Sequence, residues 1–136
     1  MHKQIFVNLA VNDLPKSKAF FERLGFTFNP QFSNDQGACL VISEHIHAML
    51  LTRDFFKTFT DKAIADTSKT VEALLCLSCE SRAEVDAVVG KATAAGGKSP
   101  RPTQDYGFMY SRSFEDLDGH TWELVYMDMT AAPEQM

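Results

Sequence analysis

The chain has 136 residues and no apolar run near the ~18 needed to span a bilayer, which excludes a membrane-spanning helix. Its start, Met1-His2-Lys3-Gln4-Ile5, passes directly into a strand-like pattern and lacks the apolar core of a signal peptide, so a cytoplasmic location is expected. Cysteine is scarce and odd in number, at Cys39, Cys76 and Cys79, which argues against a disulfide framework. Basic residues are outnumbered, 13 Lys and Arg against 18 Asp and Glu for a net charge of −5, and they are scattered. Nucleic acid requires a basic footprint and is excluded as a partner. Phosphate-cradling loops, nucleophile elbows and Walker patterns are absent.

What is present is an ordinary globular composition, 45% apolar and 23% charged. A single domain of this size buries roughly 68% of its unfolded surface and folds without staples. Strand alternation runs from Gln4 to Val11, placing Phe6, Asn8 and Ala10 on one face. Asp13 is a cap and Pro15 an early helical position, so a helix is predicted over Pro15 to Leu24, stopped by Gly25. Strands follow at Phe26 to Phe32, Ala38 to Ile42 and His47 to Thr52, with a turn at Ser33 to Gly37. Phe55, Phe56 and Phe59 have one-turn spacing in a connector, where they pack as a short helix or cover a site.

The order then repeats. Val71 to Cys79 reads as a strand and Ser81-Arg82-Ala83-Glu84 as a capping box. Val85, Val88, Val89 and Ala92 give a helix over Arg82 to Ala95, ended by Gly96-Gly97. Lys98 to Thr103 carries two prolines and reads as an edge or loop. Gly107 to Phe114 and Thr121 to Met127 are strands around an Asp118-Gly119 turn, and the tail after Asp128 reads as frayed. The fold class is therefore α+β, two βαβββ modules forming a cup-shaped curved sheet. One domain over residues 1–136 holds modules at about 1–53 and 71–128, joined at about 54–70. A cup is where a small molecule sits.

Two motifs carry a family resemblance. Asp13-Leu14-Pro15-Lys16-Ser17-Lys18-Ala19-Phe20-Phe21-Glu22-Arg23-Leu24-Gly25-Phe26 fits DLxxSxxFFxxLGF, and Asp116-Leu117-Asp118-Gly119-His120-Thr121-Trp122-Glu123 is similar to DPDGHxxE, with Leu117 in place of proline. The chain resembles the vicinal oxygen chelate superfamily of glyoxalase I, bleomycin-resistance proteins and extradiol dioxygenases over roughly residues 3 to 128. The resemblance implies paired βαβββ modules, a homodimer and, in metal-dependent members, two ligands per module for a divalent ion that chelates adjacent substrate oxygens. Carried over, those positions fall on Phe6, Leu51, Leu74 and Glu123. Three apolar side chains and one carboxylate cannot hold a catalytic ion, and a one-residue shift to Val7, Leu50, Ala73 or Leu75 does not help. No metal and no cofactor are expected.

Other candidates remain two-sided. Cys76 and Cys79 have CxxC spacing, a redox pair or half a zinc site, but three residues apart in a strand they point to opposite faces and read as buried thiols. His45 and His47 are either a metal pair or part of a polar hairpin, and His47 alternates with Met49 and Leu51 toward the cup. His120 reads as a turn histidine without a catalytic role. Asn8 suits a carbonyl-bearing ligand or a cross-strand bond. Tyr106, Phe108, Tyr110 and Arg112 alternate onto one face, lining the cup for a planar or anionic ligand or packing a sheet. Glu123 either bonds Asn8, a tyrosine hydroxyl or an arginine, which is the expectation, or serves as a base or in an atypical metal site. The expected function is small-molecule binding without the family's metal; the alternative is a lyase or isomerase of glyoxalase type using Glu123.

Overall fold

The computed structural model describes residues 1–130, so the frayed tail expected after Asp128 lies largely outside the described residues. The chain divides into two compact units, Met1–Asp66 and the stretch from Thr67 onward. Each is a curved four-stranded sheet with a helix on one face.

In the first unit, β1 (Ile5–Val11) leads to α1 (Leu14–Arg23), β2 (Thr27–Asn29), β3 (Gly37–Val41) and β4 (Ile46–Thr52). Asp13 caps α1 by accepting from the Lys16 N–H at 3.1 Å, leaving Pro15 harmless in the first turn, and Gly25 ends the helix with φ of +99°. The sheet order is β1-β4-β3-β2, with β1 parallel to β4 and the other pairs antiparallel. Leu9, Val11, Leu40, Ala48 and Leu50 are buried on the α1 side with Phe20, Phe21 and Leu24. Burying each of the valine, leucine and phenylalanine side chains contributes about 1.5–3 kcal/mol.

The strand predicted to reach Phe32 stops at Asn29. Pro30 brings no N–H to a ladder, and Asn29 Oδ1 accepts instead from the Gln31 N–H at 3.0 Å, starting a 3₁₀ turn over Pro30–Phe32. After β4, α2 (Arg53–Phe56) and a 3₁₀ turn (Lys57–Phe59) form where the phenylalanine spacing predicted a short helix, and α2 packs on β1 and β4.

In the second unit, β5 (Leu74–Cys79) is followed by α3 (Arg82–Ala94), β6 (Gln104–Asp105), β7 (Met109–Glu115) and β8 (Thr121–Met127), in the order β5-β8-β7-β6. β5 is again parallel to its neighbour β8. Ser81 Oγ accepts from the Glu84 N–H at 3.0 Å, and Val85, Val89 and Ala92 are fully buried against the sheet with Phe114, Trp122 and Leu124. β5 starts three residues later than predicted, and Glu72 uses its carboxylate on His120 instead. β7 starts at Met109 because the chain bends at Gly107, which has φ of +81° and whose carbonyl accepts from Arg82 at 2.9 Å.

Candidate functional site

A sheet with a helix on one face leaves its other face for ligands, and the registers define that face in each unit. In the first unit Phe6 pairs with His47, Asn8 with Met49 and Ala10 with Leu51. Phe6, Asn8, His47, Met49 and Leu51 therefore share the face away from α1. Phe6 and Asn8 are exposed, His47 and Met49 half-buried and Leu51 buried. The Phe6 and His47 rings stack at 4.7 Å between centroids, and His47 Nδ1 is buried without a hydrogen-bond partner. His45 lies outside β4, exposed, with Nε2 3.8 Å from Glu44, so the two histidines do not form a metal pair.

In the second unit Cys76 pairs with Glu123, Ser113 with Glu123 and Ser111 with Val125, so Leu74, Cys76, Ser111, Ser113, Thr121 and Glu123 lie on the face away from α3. A groove of about 230 Å³ runs along this face. It is lined by Leu74, Gln104, Ser111, Ser113, Thr121 and Glu123, together with Arg101, Pro102 and Arg112. A hollow of about 820 Å³ in the first unit, between the second half of α1 and the turn around Asn34, is larger but lies off the sheet face. Size alone does not make it the better site, because the second unit's groove is the one that lies on an open sheet face and contains Glu123.

The expected partnership of Glu123 is not formed. Among the described residues no hydrogen bond or ion pair reaches its carboxylate, which is half-buried. The reason is that Tyr110 and Arg112 are on the opposite face of β7, in register with Tyr126 and Leu124. There Asp86 of α3 accepts from the Tyr110 hydroxyl at 2.7 Å and from Arg112 at 3.1 Å. Arg82 lies 4.9 Å over the Tyr110 ring and forks onto Asp105 at 2.7 and 3.1 Å. The Tyr110 hydrogen bond, followed by Arg112, holds the Asp86 carboxyl below its ordinary range. Phe108 precedes β7, its carbonyl accepting from the Asp128 N–H. The face that reads as aromatic and cationic in sequence is thus a clasp between helix and sheet.

The thiols are also placed differently from expectation. Cys39 is buried, but Cys76 is exposed and Cys79 half-buried. As expected, Cys76 and Cys79 are on opposite faces of β5. Burial, then the Glu123 charge, pushes the Cys76 thiol up; burial and a hydrogen bond with Glu84 push Cys79 up to about 12.

The Asp-Leu-Asp-Gly-His turn is built around buried Asp116. Its Oδ1 accepts from the Asp118 and His120 N–H groups, both at 3.0 Å, and its Oδ2 from Trp122 Nε1 at 3.0 Å. His120, 4% exposed, sets Nδ1 2.9 Å from Glu72. Gly119 has φ of +86°, and a Cβ there would lie 2.4 Å from the Thr67 carbonyl oxygen. The motif histidine is a framework residue, and nothing in the turn sequence announces Glu72, 48 positions away, as its partner. Arg101, Gln104, Ser111, Ser113 and Thr121 also escape a reading by motifs. Alternation finds the strand residues: once Glu123 is taken to face the groove, Thr121, Ser111 and Ser113 follow, and Gln104 pairs with Ser111; nothing in the sequence signals Arg101, which lies outside the strands.

With this geometry in place, comparison with known proteins is decisive for the family. The model of the Glyoxalase/Bleomycin resistance protein/Dioxygenase superfamily matches residues 3–124, and the chain belongs to that superfamily. Among solved structures it is similar to hypothetical protein SA1046 from S. aureus, with 28% identity, a TM-score of 0.77 and coverage of 93% of this chain and 95% of that one. TioX from Micromonospora sp. ML1 gives 22% identity and a TM-score of 0.67, covering 91% and 98%. The fosfomycin resistance protein FosX from Mesorhizobium loti gives 14% and 0.69, covering 96% of each. A search of curated proteins finds no match. Among the described residues no helix is long and apolar enough to cross a membrane.

The family's metal does not fit the residues present. Phe6 and Leu51, the first-unit positions to which the family resemblance carries the ligands, are apolar, and His47 beside them is stacked on Phe6. In the second unit Leu74 faces Thr121 across the ladder, and Glu123 pairs with Cys76 and Ser113, a thiol and a hydroxyl rather than a histidine or a second carboxylate. No group of three His, Cys, Asp or Glu side chains able to hold an ion occurs among the described residues.

Proposed function

We propose that this protein binds a small molecule on the open sheet faces without the family's divalent metal. The observation that carries the reading is the groove beside Glu123. There a carboxylate with unused acceptor capacity converges with the Ser111, Ser113 and Thr121 hydroxyls and the Gln104 amide, above a floor that includes Leu74. In the first unit, exposed Phe6 and Asn8 offer an apolar surface and an amide beside His47 and Met49. Tyr110 enters this reading only as a support of the sheet, whereas Arg112, bonded to Asp86, also lines the groove. Phe108, at the bend before β7, has no assigned contact with a ligand.

A second reading has one observation in its favour. An unpaired carboxylate facing an open groove is able to take a proton, so Glu123 as general base of a lyase or isomerase is the competing function. The test of both is elemental analysis with fragment binding and turnover assays on the wild-type protein and Glu123→Gln. On the binding reading, the protein is expected to carry no stoichiometric zinc, nickel or iron, to bind fragments at Ser111, Ser113 and Glu123, and to show no turnover of methylglyoxal–glutathione adducts. One ion per chain that is lost in Glu123→Gln would overturn the metal-free reading. Turnover reduced about a hundredfold in a folded Glu123→Gln protein would favour the base. The reading also takes the protein to be a cytoplasmic homodimer, supported by exposed Ile5, Phe6 and Leu74 on strands at the ends of their sheets and checked by analytical ultracentrifugation.

A further inference from the structure

The second unit's groove holds two opposite charges that do not satisfy each other. Glu123 stands on β8 and Arg101 in the segment before β6; both line the same hollow. Neither has a hydrogen bond or ion pair among the described residues, and they do not pair with one another. The third charged residue at the groove, Arg112, sends its guanidinium through the other face to Asp86, so it does not neutralise Glu123. Neutral hydrogen-bonding groups line the same groove: Gln104, Ser111, Ser113 and Thr121. The volume, about 230 Å³, is below the roughly 300–1,000 Å³ of sites for drug-sized ligands.

We propose that this groove recognises a compact zwitterion, a short molecule with an amino group at one end and an acidic group at the other. The ammonium donates to the Glu123 carboxylate, and the acid accepts from the Arg101 guanidinium, whose planar fork matches a carboxylate or phosphonate. The hydroxyls and the amide hydrogen-bond the middle of the molecule. A groove with two opposite charges that lack protein partners binds a dipolar molecule better than a singly charged one, because the dipolar molecule supplies both partners at once. Singly charged compounds satisfy one end and leave the other unpaired. The proposal rests on the reading of this open face as a ligand site, and it names the ligand class for it.

The experiment is a titration followed by the backbone amide shifts of Ser111, Ser113 and Glu123. The probes are glycine, β-alanine, 4-aminobutanoate and 5-aminopentanoate, against butylamine, butanoate and neutral 1,4-butanediol. One ω-amino acid is expected to bind at least about tenfold more tightly than butylamine or butanoate, the effect of one added charge-assisted hydrogen bond. Glu123→Gln should erase its advantage over butanoate, and Arg101→Gln its advantage over butylamine. Equal binding of single-ended and double-ended probes, or an advantage that survives both substitutions, overturns the zwitterion. Butanediol moving the three amides while no ω-amino acid outbinds it overturns the ligand class and leaves the site standing. No probe moving those amides overturns the class and the site together.

Discussion

Asp116→Asn tests whether the Asp-Leu-Asp-Gly-His turn is held by one carboxylate. The carboxylate accepts three hydrogen bonds, from the Asp118 and His120 N–H groups on Oδ1 and from Trp122 Nε1 on Oδ2. An asparagine has one oxygen and one NH₂ in the same space. With the oxygen in the Oδ1 position, the NH₂ faces the indole N–H, donor against donor. Flipped, it faces two backbone donors instead. At least one buried donor loses its acceptor in either orientation, costing about 1–3 kcal/mol, and the remaining bonds lose the charge assistance. Relief of a buried charge offsets part of this, since burial pushes the Asp116 carboxyl upward. The expected net loss is about 1–3 kcal/mol, or a Tm lower by roughly 3–10 °C for a chain this size. The assay is thermal melting by circular dichroism, with Trp122→Phe and the double variant completing a cycle. Trp122→Phe removes the orphaned donor, so the double variant should be more stable than the sum of the single losses by about 1 kcal/mol or more. Wild-type stability in Asp116→Asn, or strict additivity in the cycle, would refute the argument.

Two further outcomes follow from the titrating groups. Asp86, held below its ordinary range by the Tyr110 hydroxyl and Arg112, has a folded pKa depressed below the unfolded value of about 3.9. Its contribution is present above that value and is lost as pH falls through the folded pKa. Asp86→Asn should therefore flatten the acid limb of a stability–pH curve below about pH 4 and leave its shape near neutrality unchanged; an unchanged acid limb would count against the clasp. Cysteine labelling at pH 8 should reach exposed Cys76 first, because Cys39 is buried and Cys79 is pushed up to about 12. Peptide mass spectrometry after iodoacetamide checks the order, and prior labelling of Cys79 would contradict it.

Much of the framework is readable where a residue does one local job. Asp13 and Ser81 cap helices, Gly25 and Gly96 end them with positive φ, and the Asp118-Gly119 pair turns β7 into β8. Face assignment on β7 is different, because Tyr110, Ser111, Arg112 and Ser113 are polar or amphipathic on both sides and give no apolar period. The choice was made by Asp86, 24 residues from Tyr110 and on a helix, which draws tyrosine and arginine toward α3 and leaves the serines to the groove. The same non-local logic hides Glu72 as the partner of His120. Short-range sequence signals locate elements, whereas charge pairs across long separations decide which face an amphipathic strand presents.

The parallel pairing of β1 with β4, and of β5 with β8, has a consequence for how the chain is made. On the ribosome β1 is synthesised first in its unit, yet its neighbour in the sheet, β4, is synthesised last. At roughly 5–20 residues per second, β1 waits a few seconds with Leu9, Ala10 and Val11 uncovered before a strand exists to receive it. The β3–β4 and β7–β8 ladders join strands close in sequence and can close as soon as they emerge. Each half of the protein is therefore finished by its oldest segment, and the nascent chain's exposure to chaperones and to misassociation is concentrated in β1 and, later, β5.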